Sequence, residues 1–314
     1  MNPLSGIFGA AVALRNSLYD REVFAVHQLQ KPVISVGNIS VGGSGKTPFV
    51  IALGELLQQR GIRFDILSRG YGRSSKNIAV VDPEGTSSDF GDEPLLMARK
   101  LQVPVMVGAD RFQAGLLAEK TFPSQLHLLD DGFQHRRLHR DCDIVMLPQA
   151  DLQDTLLPVG RLREPQTSLN RANVLVVNQQ MDLPQQFSGR HVWRVTRTLE
   201  LPVNTGRAMA FCGIAKPDQF FAQLKDLNVE LAGTHTFPDH HRYSEADIQL
   251  LLRKKQQSSA GYFVTTEKDE INLEKFGEKL DCLRIARLKT TLEDANEATQ
   301  WLINTLEQRC GCKL

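Results

Sequence analysis

Ser40-Val-Gly-Gly-Ser-Gly-Lys-Thr47 gathers three glycines, a lysine and three hydroxyls into eight residues. Gly42, Gly43 and Gly45, with Ser44 between them, let the backbone come close to phosphate oxygens. Lys46 offers a cation to the outer phosphates, and the Thr47 hydroxyl can ligate magnesium. A helix starting near Gly45 aims its free N–H groups and positive end at the same anion. The P-loop pattern G-x-x-x-x-G-K-[ST] asks for glycine at position 40, where this chain has serine. The loop predicts a bound nucleoside triphosphate and leaves its use open.

Other constellations could complete a site. Asp130 and Asp131 end the apolar run Leu126-His-Leu-Leu129, the place where P-loop proteins hold magnesium directly or through water. Asp-Asp-Gly is also a good turn. Gly132-Phe-Gln-His-Arg-Arg-Leu-His-Arg140 follows, a basic cluster suited to an anionic substrate or to a solvated loop. Ser68-Arg-Gly-Tyr-Gly-Arg73 and Gly160-Arg-Leu-Arg-Glu164 add arginines that could clamp phosphate. In Gly91-Asp-Glu-Pro94, Asp92 reads either as a helix N-cap or as a base. Phe237-Pro-Asp-His-His-Arg-Tyr243 sets a carboxylate beside histidines, as a base dyad or as a structural turn. Thr265-Thr-Glu-Lys-Asp269 has the wrong order for a guanine-reading motif.

These residues need a scaffold. Short β-rich runs at 33–36, 64–68, 79–81, 103–107, 126–129, 144–147 and 174–177 alternate with helical stretches, notably 48–59 and 93–100. That alternation on a P-loop predicts a mainly parallel sheet with helices on both faces. A second series follows, with strands at 207–211, 229–233 and 262–265 and helices at 217–224 and 244–252. Weakly alternating segments at 192–195, 198–201 and 283–288 read as extended connectors, and a last helix at 292–308 as packing back on the first unit. The division is therefore 1–188, linker strands in 189–205 and 282–290, a smaller domain at 206–281, and 291–314 returning to the first.

The chain has 314 residues, 41% hydrophobic and 23% charged, with net charge +1, so no global field calls for nucleic acid. Five scattered cysteines argue against a disulfide framework, and Cys310-Gly-Cys312 lacks a second ligand pair for zinc. No run is long and apolar enough to span a bilayer. Leu4, Ile7, Ala11, Leu14 and Leu18 recur at helical spacing, which fits a helix packed on its own domain or one lying in a membrane interface.

Together the motifs resemble the tetraacyldisaccharide 4′-kinases, lipid A 4′-kinases of Gram-negative bacteria. The resemblance runs in order through Leu14-Arg-Asn-Ser-Leu-Tyr-Asp20, Gly37–Pro48, Ser68–Arg73, Gly91–Pro94, Asp130-Asp-Gly-Phe-Gln-His135, Gly160–Glu164, Asp239-His240 and Thr266-Glu-Lys-Asp269. It implies a P-loop NTPase-like α/β/α sandwich, a second, smaller α/β/α domain and an extended two-stranded linker. It also implies transfer from ATP, with Mg²⁺, to the 4′-hydroxyl of an acylated disaccharide 1-phosphate lipid at the cytoplasmic face of the inner membrane. By position, Lys46 and the loop amides would hold the triphosphate, and Thr47, Asp130 and Asp131 the metal. Asp92 would be the catalytic aspartate, paired with His240 (His241 being the rival) and accepting the hydroxyl proton. Arg73, Gln134, His135, Arg163 and Glu164 would surround the lipid substrate. The competing reading is a P-loop ATPase or GTPase acting as a switch or metal-insertion factor.

Overall fold

The protein is described by a computed structural model over residues 3–202, 206–311 and 313–314. It opens with α1 (Pro3–Asp20), then β1 (Val33–Asn38), α2 (Lys46–Gln59), β2 (Phe64–Ser68) and β3 (Ala79–Val80). Next come α3 (Ser87–Phe90), α4 (Asp92–Leu101), β4 (Val105–Val107), α5 (Arg111–Thr121), β5 (Leu126–Asp130), β6 (Cys142–Met146) and β7 (Val174–Asn178). The second part holds β8 (Val192–Glu200), β9 (Ala208–Cys212), α6 (Pro217–Asp226), β10 (Leu231–Thr236), α7 (Glu245–Gln257), β11 (Tyr262–Thr266) and α8 (Glu267–Leu273). β12 (Leu283–Leu292) and α9 (Ala295–Cys310) end the chain.

All these strands join in one sheet, ordered β10-β9-β11-β12-β8-β7-β6-β1-β5-β2-β4-β3. Its central strands β1, β2, β5 and β6 are buried along their whole length, as parallel strands covered on both faces must be. α2 and α9 pack together on one face through Phe49, Leu53, Leu57, Leu302 and Leu306. The second unit has its own core around Phe211, Phe263 and Leu251.

β8 and β12 make the junction. β8 pairs parallel with β7 through Val192–Val195, then antiparallel with β12 through Val195–Glu200. β12 pairs parallel with β11 at Leu283–Ala286 before meeting β8. Each strand thus belongs half to each unit, and the two segments expected at 192–195 and 198–201 are one strand. The interruption in alternation marks the change of partner, where burial passes from a core face to an exposed hairpin. α8, absent from the sequence reading, packs against α4 and makes a second junction, with Lys100 paired to Glu267 across it.

α1 lies on the first unit by its polar side. Ser5 donates to the Leu156 carbonyl at 2.9 Å, Asn16 donates to Glu164 at 2.8 Å, and Arg136 donates to the Asn16 carbonyl at 3.0 Å. Its apolar side is left outward, with Ile7 69% and Leu14 63% exposed and Leu4 also exposed. Val23, Phe24 and Val26, just beyond the helix, extend the exposed apolar surface. No helix among the described residues is long and apolar enough to cross a membrane.

Candidate active site

A cleft of about 1020 Å³ lies between the units, lined by the 42–47 loop, the ends of β2 and β5, the β8–β12 hairpin and the loops of the second unit. Its floor follows from β1. Gly37 has no room for a side chain, since a Cβ there would stand 2.5 Å from Phe133 Cβ. Asn38 then turns its amide onto the Ser40 carbonyl and receives the Lys46 ammonium on Oδ1 at 3.1 Å. Ser40, the departure from the P-loop pattern, is buried and donates to Asp151 at 2.7 Å. A hydroxyl here ties the loop to a distant segment, which glycine could not do. Gly42 and Gly45 both take left-handed backbone, and α2 starts at Lys46 with Gly45 as its cap.

Asp130 and Asp131 divide sharply. Asp131 accepts from Arg163 at 3.0 Å and pairs with Lys46 at 3.3 Å. Burial opposes its ionisation, but these two cations hold its carboxyl below the usual range. Asp130 is buried, accepts from Ser68 on Oδ2 at 2.9 Å, and has Oδ1 buried with no hydrogen-bond partner. Burial, then Glu93 and Asp131, push its carboxyl up to about 7. A buried, orphaned carboxylate oxygen beside a carboxylate neighbour fits a hard cation or its water. Among the described residues no cluster of three or more His, Cys, Asp or Glu side chains forms a metal cage.

The other wall is assembled from both units. Asp92, 5% exposed, sits at the first position of α4, with Gly91 as the cap residue. The N-cap alternative for Asp92 therefore fails by one residue: Gly91 is the cap, and no side chain caps this helix. Asp92 Oδ2 lies 2.8 Å from His240 Nδ1 and 3.4 Å from the Asn272 amide. His241 turns away, pairing with Asp247 at 3.2 Å and stacking on Phe237 at 4.5 Å. His240 holds a left-handed φ of 59° and Asp131 one of 49°, and of the nine non-glycine residues with positive φ among the described residues these two face the cleft.

Lys268, from α8, closes the group. Its ammonium is 3.2 Å from His240 Nε2, 3.1 Å from Asp239 and 3.7 Å from Asp92. An ammonium has no lone pair, so Nε2 accepts, and the imidazole proton lies on Nδ1 and is donated to Asp92. The bond to Asp92 raises the His240 imidazole above its ordinary pKa of 6.5, against burial. Asp92 is shifted the other way: burial would raise it, but His240 and Lys268 hold it low.

The expected substrate residues separate into two groups. Gln134 and Arg163 line the cleft, with Gln134 donating to the Asn38 carbonyl at 2.8 Å. Glu164 does not: it is 1% exposed and bound to Asn16 and Arg171. His135 and Arg73 also lie outside the lining, each with a buried nitrogen lacking a partner. Burial, then the Arg111 charge, pushes His135 down to about 4, so it is neutral at pH 7. Cys310 is half-buried with its Sγ 3.6 Å from Asp141 Oδ1, and Cys312 lies outside the described residues.

Lys268, Asn272 and Arg197 carried no role in the sequence reading. Lys268 was visible only as part of Thr266-Glu-Lys-Asp269, whose helix start, capped by Thr266, was not read. Arg197 lies on β8 in no motif, yet it donates to the Ser44 carbonyl at 2.8 Å and packs on Gly45. Its Nε is buried without a partner.

The tetraacyldisaccharide-1-P 4′-kinase family profile matches residues 1–307. A tetraacyldisaccharide 4′-kinase from Koribacter versatilis is 48% identical, covering 99% of this chain and 100% of that protein. One from Aquifex aeolicus is 39% identical over 87% of this chain and 89% of its own length. A crystal structure of the Aquifex aeolicus enzyme, LpxK, in complex with ATP superposes with a TM-score of 0.81 at 34% identity, covering 97% of this chain and 98% of that one. The cleft between the units, the Asp92–His240 contact across it and this likeness over nearly the whole chain agree: the chain belongs to the tetraacyldisaccharide 4′-kinase family, the kinases of lipid A biosynthesis.

Proposed function

We propose that the cleft transfers the γ-phosphoryl group of ATP to the 4′-hydroxyl of a tetraacyl disaccharide 1-phosphate, with His240 as the base. The Asp92–His240 pair, 2.8 Å apart across the two units, carries this reading. Of the two, His240 has its pKa raised by the bond to Asp92, and Asp92 has its lowered by His240 and Lys268. A base works best near the working pH, so the imidazole accepts the proton and the carboxylate orients it. This reverses the division expected from sequence, where Asp92 took the proton.

In the transfer, the 4′-oxygen forms a bond to the γ-phosphorus as the bond to the β–γ bridging oxygen breaks. The hydroxyl proton passes to His240 Nε2, and ADP carries away the bridging oxygen. Lys46 and the loop amides of Gly42–Thr47 receive the triphosphate. Asp130, with Thr47, would hold magnesium, which when bound neutralises charge on the β- and γ-oxygens. Asp131 keeps Lys46 and Arg163 in place. Gln134 and Arg163 present donors at the acceptor side. Arg73, His135 and Glu164 act from outside the cleft: Glu164 anchors α1 through Asn16.

The outward apolar face of α1 supports a peripheral seat on a lipid surface, and a kinase using cytosolic ATP would sit on the cytoplasmic face of the inner membrane. Incubation with ATP, magnesium and a 1-phosphorylated acyl disaccharide tests the assignment. The expected product is a bisphosphorylated lipid formed one-for-one with ADP. Phosphate released to water with no lipid product would overturn the reading in favour of a switch or pump.

A further inference from the structure

Lys268 takes no part in the transfer as drawn, yet its ammonium rests on the atom that must accept the proton. It lies 3.2 Å from His240 Nε2, and its side chain is 19% exposed. Its other partners are Asp239 and Asp92. Burial would discharge it, but Asp92, Glu93 and Asp239 keep it protonated. Glu93 feels both Lys268 and Lys46, so the two lysines approach one carboxylate from opposite units. Both ammonium groups border the cleft that receives the triphosphate.

A cation shared among an imidazole and two carboxylates has a competitor once a triphosphate arrives. The polyanion carries more charge than any single group now holding Lys268, and Coulomb attraction in a partly dry cleft is strong. We propose that Lys268 is a latch on the base: it occupies His240 Nε2 in the nucleotide-free enzyme and moves to the γ-phosphoryl oxygens when ATP binds. The move exposes the Nε2 lone pair to the lipid hydroxyl and adds a second lysine to the transferred group. Proton abstraction then becomes conditional on a triphosphate being present. The inference rests on His240 being the base, as argued above.

His240 is faced by Asp92 and Glu93 from α4, Lys268 and Asn272 from α8, Tyr71 from the loop after β2, and Asp239 on its own loop. Arg242 donates to the Gly72 carbonyl at the same rim. Of these groups only Lys268 is a cation touching Nε2.

The test is an imidazole ¹⁵N NMR titration of the full-length protein in detergent, with His240 assigned from the spectrum of His240→Gln. In wild type, a magnesium complex of a non-hydrolysable ATP analogue should raise the His240 midpoint by at least about one pH unit, about tenfold in proton affinity. Magnesium–ADP, lacking the γ-phosphoryl group, should move it much less. Nucleotide-free Lys268→Met should start from a raised midpoint and respond less to the analogue than wild type does. The proposal is overturned if wild type and Lys268→Met share one nucleotide-free midpoint, or if both respond equally to the analogue. A kinase that stays active as His240→Gln would instead sink the base assignment and leave these titrations readable.

Discussion

The two walls of the cleft are built in opposite ways. The nucleotide wall is almost one continuous stretch, residues 38–47, in which Asn38 bonds to both Ser40 and Lys46 and Ser40 is further tied to Asp151. The proton-accepting wall brings Asp92 of the first unit against His240, 148 residues away, and against Lys268 and Asn272 of α8. The first can hold a triphosphate whatever the second unit does. The second exists only when α4 meets α8 and the β8–β12 hairpin sets the units face to face. Arg197 is the link, since it starts from the hairpin and ends on the loop carbonyl of Ser44. The difference teaches that nucleotide binding and phosphoryl transfer are separable properties of this chain.

Substitutions on either wall can break that separation. Asp92→Asn removes the charge that raises and orients His240, and should lower kcat by about 10²–10⁴-fold, the usual scale of a general base. Its affinity for an ATP analogue, measured calorimetrically, should stay close to wild type. Lys46→Met should lower kcat by about 10²–10³-fold and weaken ATP as well, because it removes a donor from the charged phosphates. If Asp92→Asn lost nucleotide affinity as Lys46→Met does, the walls would not be independent.

A smaller effect separates both walls from the supply of lipid. Ile7→Asp combined with Leu14→Asp places charge on the exposed side of α1 and leaves Ser5, Asn16 and Tyr19 on the packed side untouched. Burial of a large aliphatic side chain contributes about 1.5–3 kcal/mol, so recovery of the variant on vesicles should fall more than about tenfold. ATP affinity should not change. Equal sedimentation of the variant and wild type with vesicles would remove α1 as the anchor.

The contrast between the walls also explains what could be read from the sequence. The P-loop, the carboxylates at the end of β5 and the strand–helix alternation are local patterns, and the central parallel strands were legible, whereas β8 and β12 read only as connectors. Ser40 was legible only as an oddity, because its reason is Asp151, 111 residues away. The choice of His240 over His241 rests in the sequence on the resemblance alone, since two adjacent histidines look alike. In the fold it depends on a left-handed backbone at His240 that points one ring at Asp92 and leaves the other on Phe237. Glu164 read as a substrate residue because its motif neighbours Arg163, while its side chain points at α1. Arg197 was hidden because its partner Ser44 lies far off in the chain, and Lys268 because only the fold brings it onto His240, Asp239 and Asp92 together.

The central claim is that His240 accepts the proton. Its raised pKa means the neutral, accepting form dominates only above that value, so transfer should fall as pH drops, with a midpoint above the ordinary 6.5. The direct measurement is single-turnover lipid phosphorylation across pH for wild type and His240→Gln at saturating ATP. The account predicts that the glutamine variant loses about 10²–10⁴-fold and no longer shows that acid limb, while binding the ATP analogue as wild type does. Transfer near the wild-type rate with the acid limb unchanged would contradict it.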